Sequence, residues 1–230
     1  MNSGEGSRSV LKALLLVDYG GVIAEHHCDP AESNLATLLG VDRERSRELL
    51  SERSNQGAAF REGRISEREF WDRVLLLAGK SLADRPDDSV LSTLWAQTYR
   101  VKRDAIELIQ RVRQIAPVGI LTNIDCARSA YIESVVEISK YIDIYFPSYL
   151  YHAIKPASEL WKSVDASARR KFGRDLRIIY VDDRERHVQA SREAGWDSIM
   201  YHGINTLQRE LACRGLFCER PADPLFSIEE

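Results

Sequence analysis

Five apolar residues in succession, Ala13-Leu14-Leu15-Leu16-Val17, stop at Asp18, and Tyr19-Gly20-Gly21-Val22-Ile23 follow. An unbroken apolar run of this length predicts a strand buried on both faces. Further runs at 118–121, 142–146, 177–181 and 198–201, rich in apolar residues, predict four more strands. The segments between them have a helical period. Residues 102–115 place Ile106, Leu108, Ile109 and Val112 on one face, and Pro117 ends that helix. Further helices are predicted from Asp125 to about Tyr141, from Pro156 to about Phe172, and from Asp183 to Ala194 with a stop at Gly195. A last helix follows Ile204. Strands alternating with helices predict an α/β fold, a doubly wound parallel five-stranded Rossmann-like sheet.

The stretch after the first strand is patterned differently. Residues 24–28 read as a loop. Asp29, Pro30 and Glu32 have the spacing of an N-cap, a first-turn proline and a capping box, with Gly40 as the stop. Charged residues 42–55 predict one exposed helix. Ser66-Glu67-Arg68-Glu69 is another capping box, opening a helix to Gly79 with Phe70, Trp71, Val74, Leu75, Leu77 and Ala78 on a wide apolar face. Residues 88–100, with Val90, Leu91, Leu94 and Trp95, predict a further helix. The chain therefore divides into a loose tail at 1–12, an α/β core at 13–28 and 101–230, and an inserted α-helical cap at 29–100.

Composition narrows the class. The chain has 230 residues, 44% hydrophobic and 29% charged, with a formal net charge of −3. That supports a sizeable core and argues against a general nucleic-acid or membrane-surface binder. Cys28, Cys126, Cys213 and Cys218 form no CxxC pair, so reduced thiols are expected rather than a zinc site or disulfide framework. No apolar stretch approaches the roughly 18–20 residues of a membrane helix, and the first apolar run is too short for a signal peptide. A cytoplasmic monomer or homodimer is expected.

Polar residues sit where the predicted strands end or in adjacent loops: Asp18, Thr122-Asn123, Lys155 and Asp182-Asp183. The carboxyl ends of parallel strands open into one crevice, the usual ligand site of such sheets. Gly20 and Gly21 allow a sharp turn whose N–H groups can approach an anion. Each residue also has an ordinary job open to it: Thr122 and Asn123 as turn formers, Lys155 as a solvated lysine, Asp182-Asp183 as a helix cap.

With these motifs in this order, the chain from about Leu14 to Tyr201 resembles the haloacid dehalogenase (HAD) superfamily of phosphohydrolases. The resemblance rests on Val17-Asp18-Tyr19-Gly20-Gly21-Val22-Ile23, Leu121-Thr122-Asn123, Ile154-Lys155-Pro156, and Val181-Asp182-Asp183 with Ala194-Gly195. The helical insertion resembles the family's cap, and Gly63-Arg64-Ile65-Ser66 with Glu69-Phe70-Trp71 resemble a sugar-phosphatase branch. The resemblance implies a phosphatase acting on a small phosphorylated metabolite, with Asp18 as nucleophile through an aspartyl-phosphate. It implies Mg²⁺ held by Asp18, the Gly20 carbonyl and Asp182, with Asp183 in the metal shell or orienting its waters. Lys155 would neutralise nucleophile and phosphate. The Thr122 hydroxyl, the Asn123 N–H and the N–H groups of the Gly20-Gly21 turn would hold phosphoryl oxygens. Phe60, Arg61, Arg64 and Trp71 are candidate substrate contacts, or else cap core and solvated surface.

Two departures from the family pattern matter. Its second aspartate, two residues after the nucleophile, is Gly20 here. Glu25, His26 and His27 lie nearby as replacements for the lost acid/base, or as an exposed loop. Arg186 and His187 stand where the family often has Asp or Asn. Two other readings are a metal-free carbon–halogen hydrolase, which the acidic pair Asp182-Asp183 disfavours, and a protein that binds a phosphorylated ligand or a partner without turnover.

Overall fold

The computed structural model describes residues 12–26, 29–83 and 85–217. In chain order the elements are β1 (Ala13–Val17), β2 (Ala24–Glu25), α1 (Ala31–Leu39), α2 (Arg43–Leu50), α3 (Asn55–Arg61), α4 (Glu67–Leu77), α5 (Asp88–Ala96) and β3 (Arg100–Val101). There follow α6 (Arg103–Arg113), β4 (Val118–Thr122), α7 (Cys126–Val136), β5 (Ile144–Pro147), α8 (Ser158–Phe172), β6 (Arg177–Asp182), α9 (Glu185–Glu193), β7 (Asp197–Met200) and α10 (Ile204–Cys213).

A strand without polar residues must be covered on both faces, and β1 is the middle strand of a five-stranded sheet in the order β5-β4-β1-β6-β7. All four pairings are parallel. Side chains alternate across a strand. Leu15 and Val17 therefore pack with Leu108, Ile109 and Val112 of α6 and Leu207 and Leu211 of α10. Leu14 and Leu16 face the other way, onto Leu160, Trp161 and Val164 of α8. The strand order reverses at β1, so its carboxyl end opens between β4 and β6.

Helices α1 to α5 bury a separate apolar cluster that includes Leu35, Leu39, Phe60, Phe70, Trp71, Leu91 and Trp95. Phe60 stacks on Phe70 at 4.5 Å, and the Trp71 indole N–H donates to Ser92 Oγ at 2.9 Å. Phe60 and Trp71 therefore belong to the core of the insertion and not to a substrate surface. The chain enters and leaves the insertion through an antiparallel ribbon, Ala24 opposite Val101 and Glu25 opposite Arg100. The loop expected at 24–28 thus begins with a strand.

Other local expectations are corrected. The single helix expected at 42–55 is two. Ser54 caps α3 by accepting from the Gly57 N–H at 3.1 Å, which breaks the run at Ser51. The capping box of Asp29 and Glu32 does not form, and α1 starts at Ala31 with Pro30 in the cap position. Glu32 is buried and takes the Arg47 guanidinium at 2.5 and 2.7 Å, while Asp29 accepts from Ser33 and Arg43. Helix α5 starts at Asp88 as expected, capped by Asp87, but ends at Ala96 rather than near Arg100, because the chain then turns into β3. Helix α7 stops at Val136 rather than near Tyr141, where Glu137 takes a left-handed conformation before a 3-10 turn. Helix α8 begins at Ser158 rather than Pro156. Residues 1–11 of the tail expected at 1–12, and His27, Cys28 and Cys218, lie outside the described residues. Among those described, no helix is long and apolar enough to cross a membrane.

Candidate active site

Strand β1 delivers Asp18 to the sheet's carboxyl edge, where the Asp18 N–H still pairs with the Val181 carbonyl at 2.8 Å. The chain then turns tightly. Ile23 and Ala24 donate to the Tyr19 carbonyl, and the Gly21 N–H donates to the Ala24 carbonyl at 2.7 Å. The Gly21 N–H is thus engaged inside the turn, and of the two glycines only Gly20 borders the cavity. Gly21 has φ +84°, and the Asp183 carboxylate occupies the space a β-carbon there would need. At Gly20 that space holds the ring of His26. Each glycine makes room for the side chain of another residue.

Lys155 organises the floor of the site. It is buried, and its ammonium lies 2.9 Å from Asp18 Oδ1 and 2.8 Å from Asp182 Oδ2. It also donates to the Tyr180 hydroxyl at 3.0 Å and the Leu121 carbonyl at 3.2 Å. The Asn123 side chain fixes the Lys155 backbone, accepting its N–H at 2.8 Å and donating to its carbonyl at 3.1 Å. Asn123 thus locks the Lys155 loop to the tip of β4, beside the buried Thr122.

One ammonium serves two carboxylates unequally. Asp182 also accepts from the Tyr180 hydroxyl, from the Arg184 N–H at 2.9 Å and from His187 Nδ1 at 3.1 Å. Burial would push it up, but Lys155 and His187 hold it far below the ordinary carboxylate range. Asp18 is pushed up to about 7, by burial first and then by the charges of Asp182 and Asp183, against the opposing pull of Lys155. Burial and Asp182 raise Asp183 as well, and its Oδ1 is buried without a partner among the described residues.

This donor set is short of positive charge, and that is what a hard divalent cation supplies. Among the described residues, ligand atoms of Asp18, Asp182 and His187 lie within 4.8 Å of one another. Asp183, expected in the metal shell, stands beside this group with its orphaned oxygen. His187 was expected only as a departure from the family pattern. It lies in the first full turn of α9, under Asp182, and its other ring nitrogen is buried without a partner.

Arg186 turns away from this candidate ligand cluster. With Arg184 it pairs with Glu52, in the loop after α2, and Glu52 also accepts from the Asn123 amide at 2.9 Å. Burial would raise Glu52, but Arg184, Asn123, Arg61 and His187 outweigh it and bring it down to about 2. The contact ties the helical insertion to the sheet edge. A depressed acid stabilises the fold above its unfolded pKa and stops doing so below its folded one. Glu52→Gln is therefore expected to cost about 1–2 kcal/mol at pH 7, allowing for the partly exposed arginines. In denaturant titrations the difference from wild type should shrink below about pH 4.5 and vanish near pH 2.

A cavity of about 650 Å³ opens above Asp18, Gly20, Thr122, Asn123 and Lys155, and its far wall is Arg61, Trp95, Tyr99 and Arg128. His26 lines it too, its ring 4.9 Å from that of Tyr99. Of the other candidates, Arg64 pairs with Glu62 away from the cavity, and Glu25 pairs with Arg100 across the ribbon. Sequence reasoning passed over Glu52, Trp95, Tyr99, Arg128, Tyr180 and Arg184. None has a local pattern that separates it from ordinary surface or core.

No family model matches the chain, and no curated protein matches it in sequence. Solved structures match its fold. The HAD family enzyme BT-2542 from Bacteroides thetaiotaomicron, in complex with magnesium and inorganic phosphate, aligns with TM-score 0.66 at 19% identity, over 83% of this chain and 93% of its own. A predicted HAD-like family hydrolase from Porphyromonas gingivalis aligns with TM-score 0.69 at 15% identity, over 88% and 98%. The defluorinating L-2-haloacid dehalogenase Rha0230 aligns with TM-score 0.58 at 14% identity, over 83% and 80%. The chain has the α/β fold of these HAD enzymes.

Proposed function

We propose that this protein is a Mg²⁺-dependent phosphomonoesterase of the HAD type, acting on a small phosphorylated metabolite through an aspartyl-phosphate at Asp18. The observation that carries the reading is the buried Lys155 ammonium, shared between Asp18 and Asp182 on the floor of the cavity. An anionic nucleophile attacking an anionic ester needs fixed positive charge at that point. The donor set fits a metal ion: Asp18, Asp182 and Asp183, with the Gly20 carbonyl, would hold Mg²⁺, and the bound ion supplies the charge that Lys155 alone does not. His187, bonded to Asp182, orients that carboxylate.

In this reading an Asp18 oxygen forms the bond to phosphorus while the bond to the leaving oxygen breaks. Lys155 and the Thr122 hydroxyl hold charge on the phosphoryl group. His26 protonates the leaving oxygen, then takes a proton from the water that cleaves the aspartyl-phosphate and frees Asp18. Its ring fills the space above Gly20, which supports this role. His26→Gln is expected to lower turnover of alkyl phosphates by about 10–100-fold. p-Nitrophenyl phosphate, whose leaving group needs no proton, should lose less. Equal losses on both would remove His26 from the acid role.

Carbon–halogen hydrolysis is the second reading, favoured by the lack of a carboxylate at Gly20 and opposed by the crowd of acids around Asp18. The test is phosphate release from a panel of phosphomonoesters, with Mg²⁺ and with EDTA. Release that EDTA abolishes is the expected result. Halide release from 2-haloacids in EDTA, with no phosphate release in Mg²⁺, would overturn it. Stabilisation by a phosphorylated ligand without any release would instead indicate a binding protein.

A further inference from the structure

The far wall of the cavity has chemistry that phosphoryl transfer does not use. Two guanidiniums meet there. Arg61 ends α3 and is buried, its Nη1 and Nη2 donating to the carbonyls of Gly57 and Leu50, each at 2.9 Å. It makes no ion pair among the described residues. Arg128 lies in the first turn of α7 and is 1% exposed. Its Nε donates to Asp125 at 2.6 Å and its Nη1 to the Tyr99 hydroxyl at 3.2 Å, while its Nη2 has no partner.

Both cations lie against one ring. The Arg128 guanidinium is 3.9 Å from the Trp95 centroid and that of Arg61 is 5.2 Å from it. Burial, with the positive charge of Arg128, pushes Arg61 down to about 10. Asp125 is the one carboxylate hydrogen-bonded to this pair among the described residues. Glu52 also acts on Arg61, but it is already shared by Arg184 and Arg186, so the pair keeps an excess of positive charge, together with an unused donor on a cavity wall. Proteins seldom keep this arrangement unless a ligand completes it. A planar guanidinium is suited to carboxylate and phosphate oxygens.

We infer that Arg61 and Arg128 form a second anion subsite, and that the substrate is a small phosphomonoester with a further anionic group, a carboxylate or a second phosphoryl, at its other end. The inference rests on the phosphatase reading above for which end reacts. The two ends are close. The Tyr99 ring lies tilted against that of His26, which sits over Gly20, and the Tyr99 hydroxyl accepts from Arg128 Nη1. A stem of a few carbons, lying along Trp95 and Tyr99, joins the two sites.

The test compares three sets of alkyl phosphates with stems of two to five carbons: those ending in a carboxylate, their methyl esters, and the matching bisphosphates. In wild-type protein with Mg²⁺, kcat/KM for one anionic set should exceed that for the esters at least tenfold, and which set does so identifies the anion. Arg61→Gln and Arg128→Gln should each cut that ratio at least fivefold, mainly through KM. The wild-type comparison decides the matter even if a variant fails to fold. Equal kcat/KM across the three sets at every length would overturn the inference and leave the phosphatase reading intact. If no ester is hydrolysed, calorimetric titration with malonate, succinate and glutarate takes over. Binding that Arg61→Gln weakens at least tenfold keeps the subsite while the phosphatase reading falls, and absence of binding overturns both.

Discussion

Under the proposed mechanism, Asp18→Asn is expected to lower phosphate release by about 10⁴-fold or more while making the protein more stable. Asparagine has nearly the shape of aspartate and can still accept the Tyr19 N–H that Asp18 Oδ1 takes at 2.7 Å. It has no anionic oxygen to attack phosphorus. The stability change has the opposite sign because Asp18 is raised to about 7 by burial and by Asp182 and Asp183. An acid raised on folding weakens the fold as pH climbs from its unfolded pKa towards its folded one. At pH 7 in metal-free buffer the variant should gain roughly 1–3 kcal/mol in denaturant unfolding, as expected of a residue kept for chemistry and not for stability. A variant both inactive and destabilised would show that Asp18 holds the fold together instead.

Lys155→Met has the largest effect on stability. Methionine fills a similar volume but leaves Asp18 and Asp182 facing each other without their ammonium, and the Tyr180 hydroxyl and Leu121 carbonyl without a donor. Breaking a buried ion pair from one side costs about 3–5 kcal/mol. Phosphate release should fall with it. The cost depends on pH, since protonating the stranded carboxylates relieves it. Asp18 is raised to about 7 even beside Lys155 and rises further without it, so the gap from wild type should begin to narrow as pH falls towards 7 and narrow again at lower pH as Asp182 takes up its proton. Adding Asp18→Asn to Lys155→Met should recover part of the loss, because the second change removes one stranded charge. Measured as a double-mutant cycle, a coupling of about 1–3 kcal/mol is expected. Strict additivity would mean that the two residues do not share one electrostatic site.

The helical insertion ties both results to substrate choice. Glu52 crosses to Arg184, Arg186 and Asn123, and Asn123 in turn holds the Lys155 backbone. Arg61 brings the insertion's own charge to the cavity wall. The same element therefore supports Lys155 and presents the proposed second anion subsite.

Local patterns were read well where one cause dominated. The apolar run ending in Asp18 has few ways to be buried, so β1 and the position of its carboxylate followed from it. The period of 102–115 led to α6, and Ser66 with Glu69 to the start of α4. The reading erred where a tertiary partner outbid a local motif. Glu32 left its capping box for Arg47; the break between α2 and α3 was instead a missed local signal, the Ser54 cap within a run whose charge pattern looked continuous.

Taken alone, then, the chain's residues determined a parallel α/β sheet, a helical insertion after the first strand, and the row of Asp18, Thr122, Lys155 and Asp182 along one edge. Period and strand ends are local properties, and a parallel sheet brings its carboxyl ends together in one crevice. Only the tertiary structure decided that His26 fills the space over Gly20, that Glu52 binds Arg184 from 132 residues away, and that Arg61 and Arg128 meet against Trp95 on one cavity wall. Those partnerships depend on charge, burial and distance between segments far apart in the chain, and such forces leave no periodic trace along it.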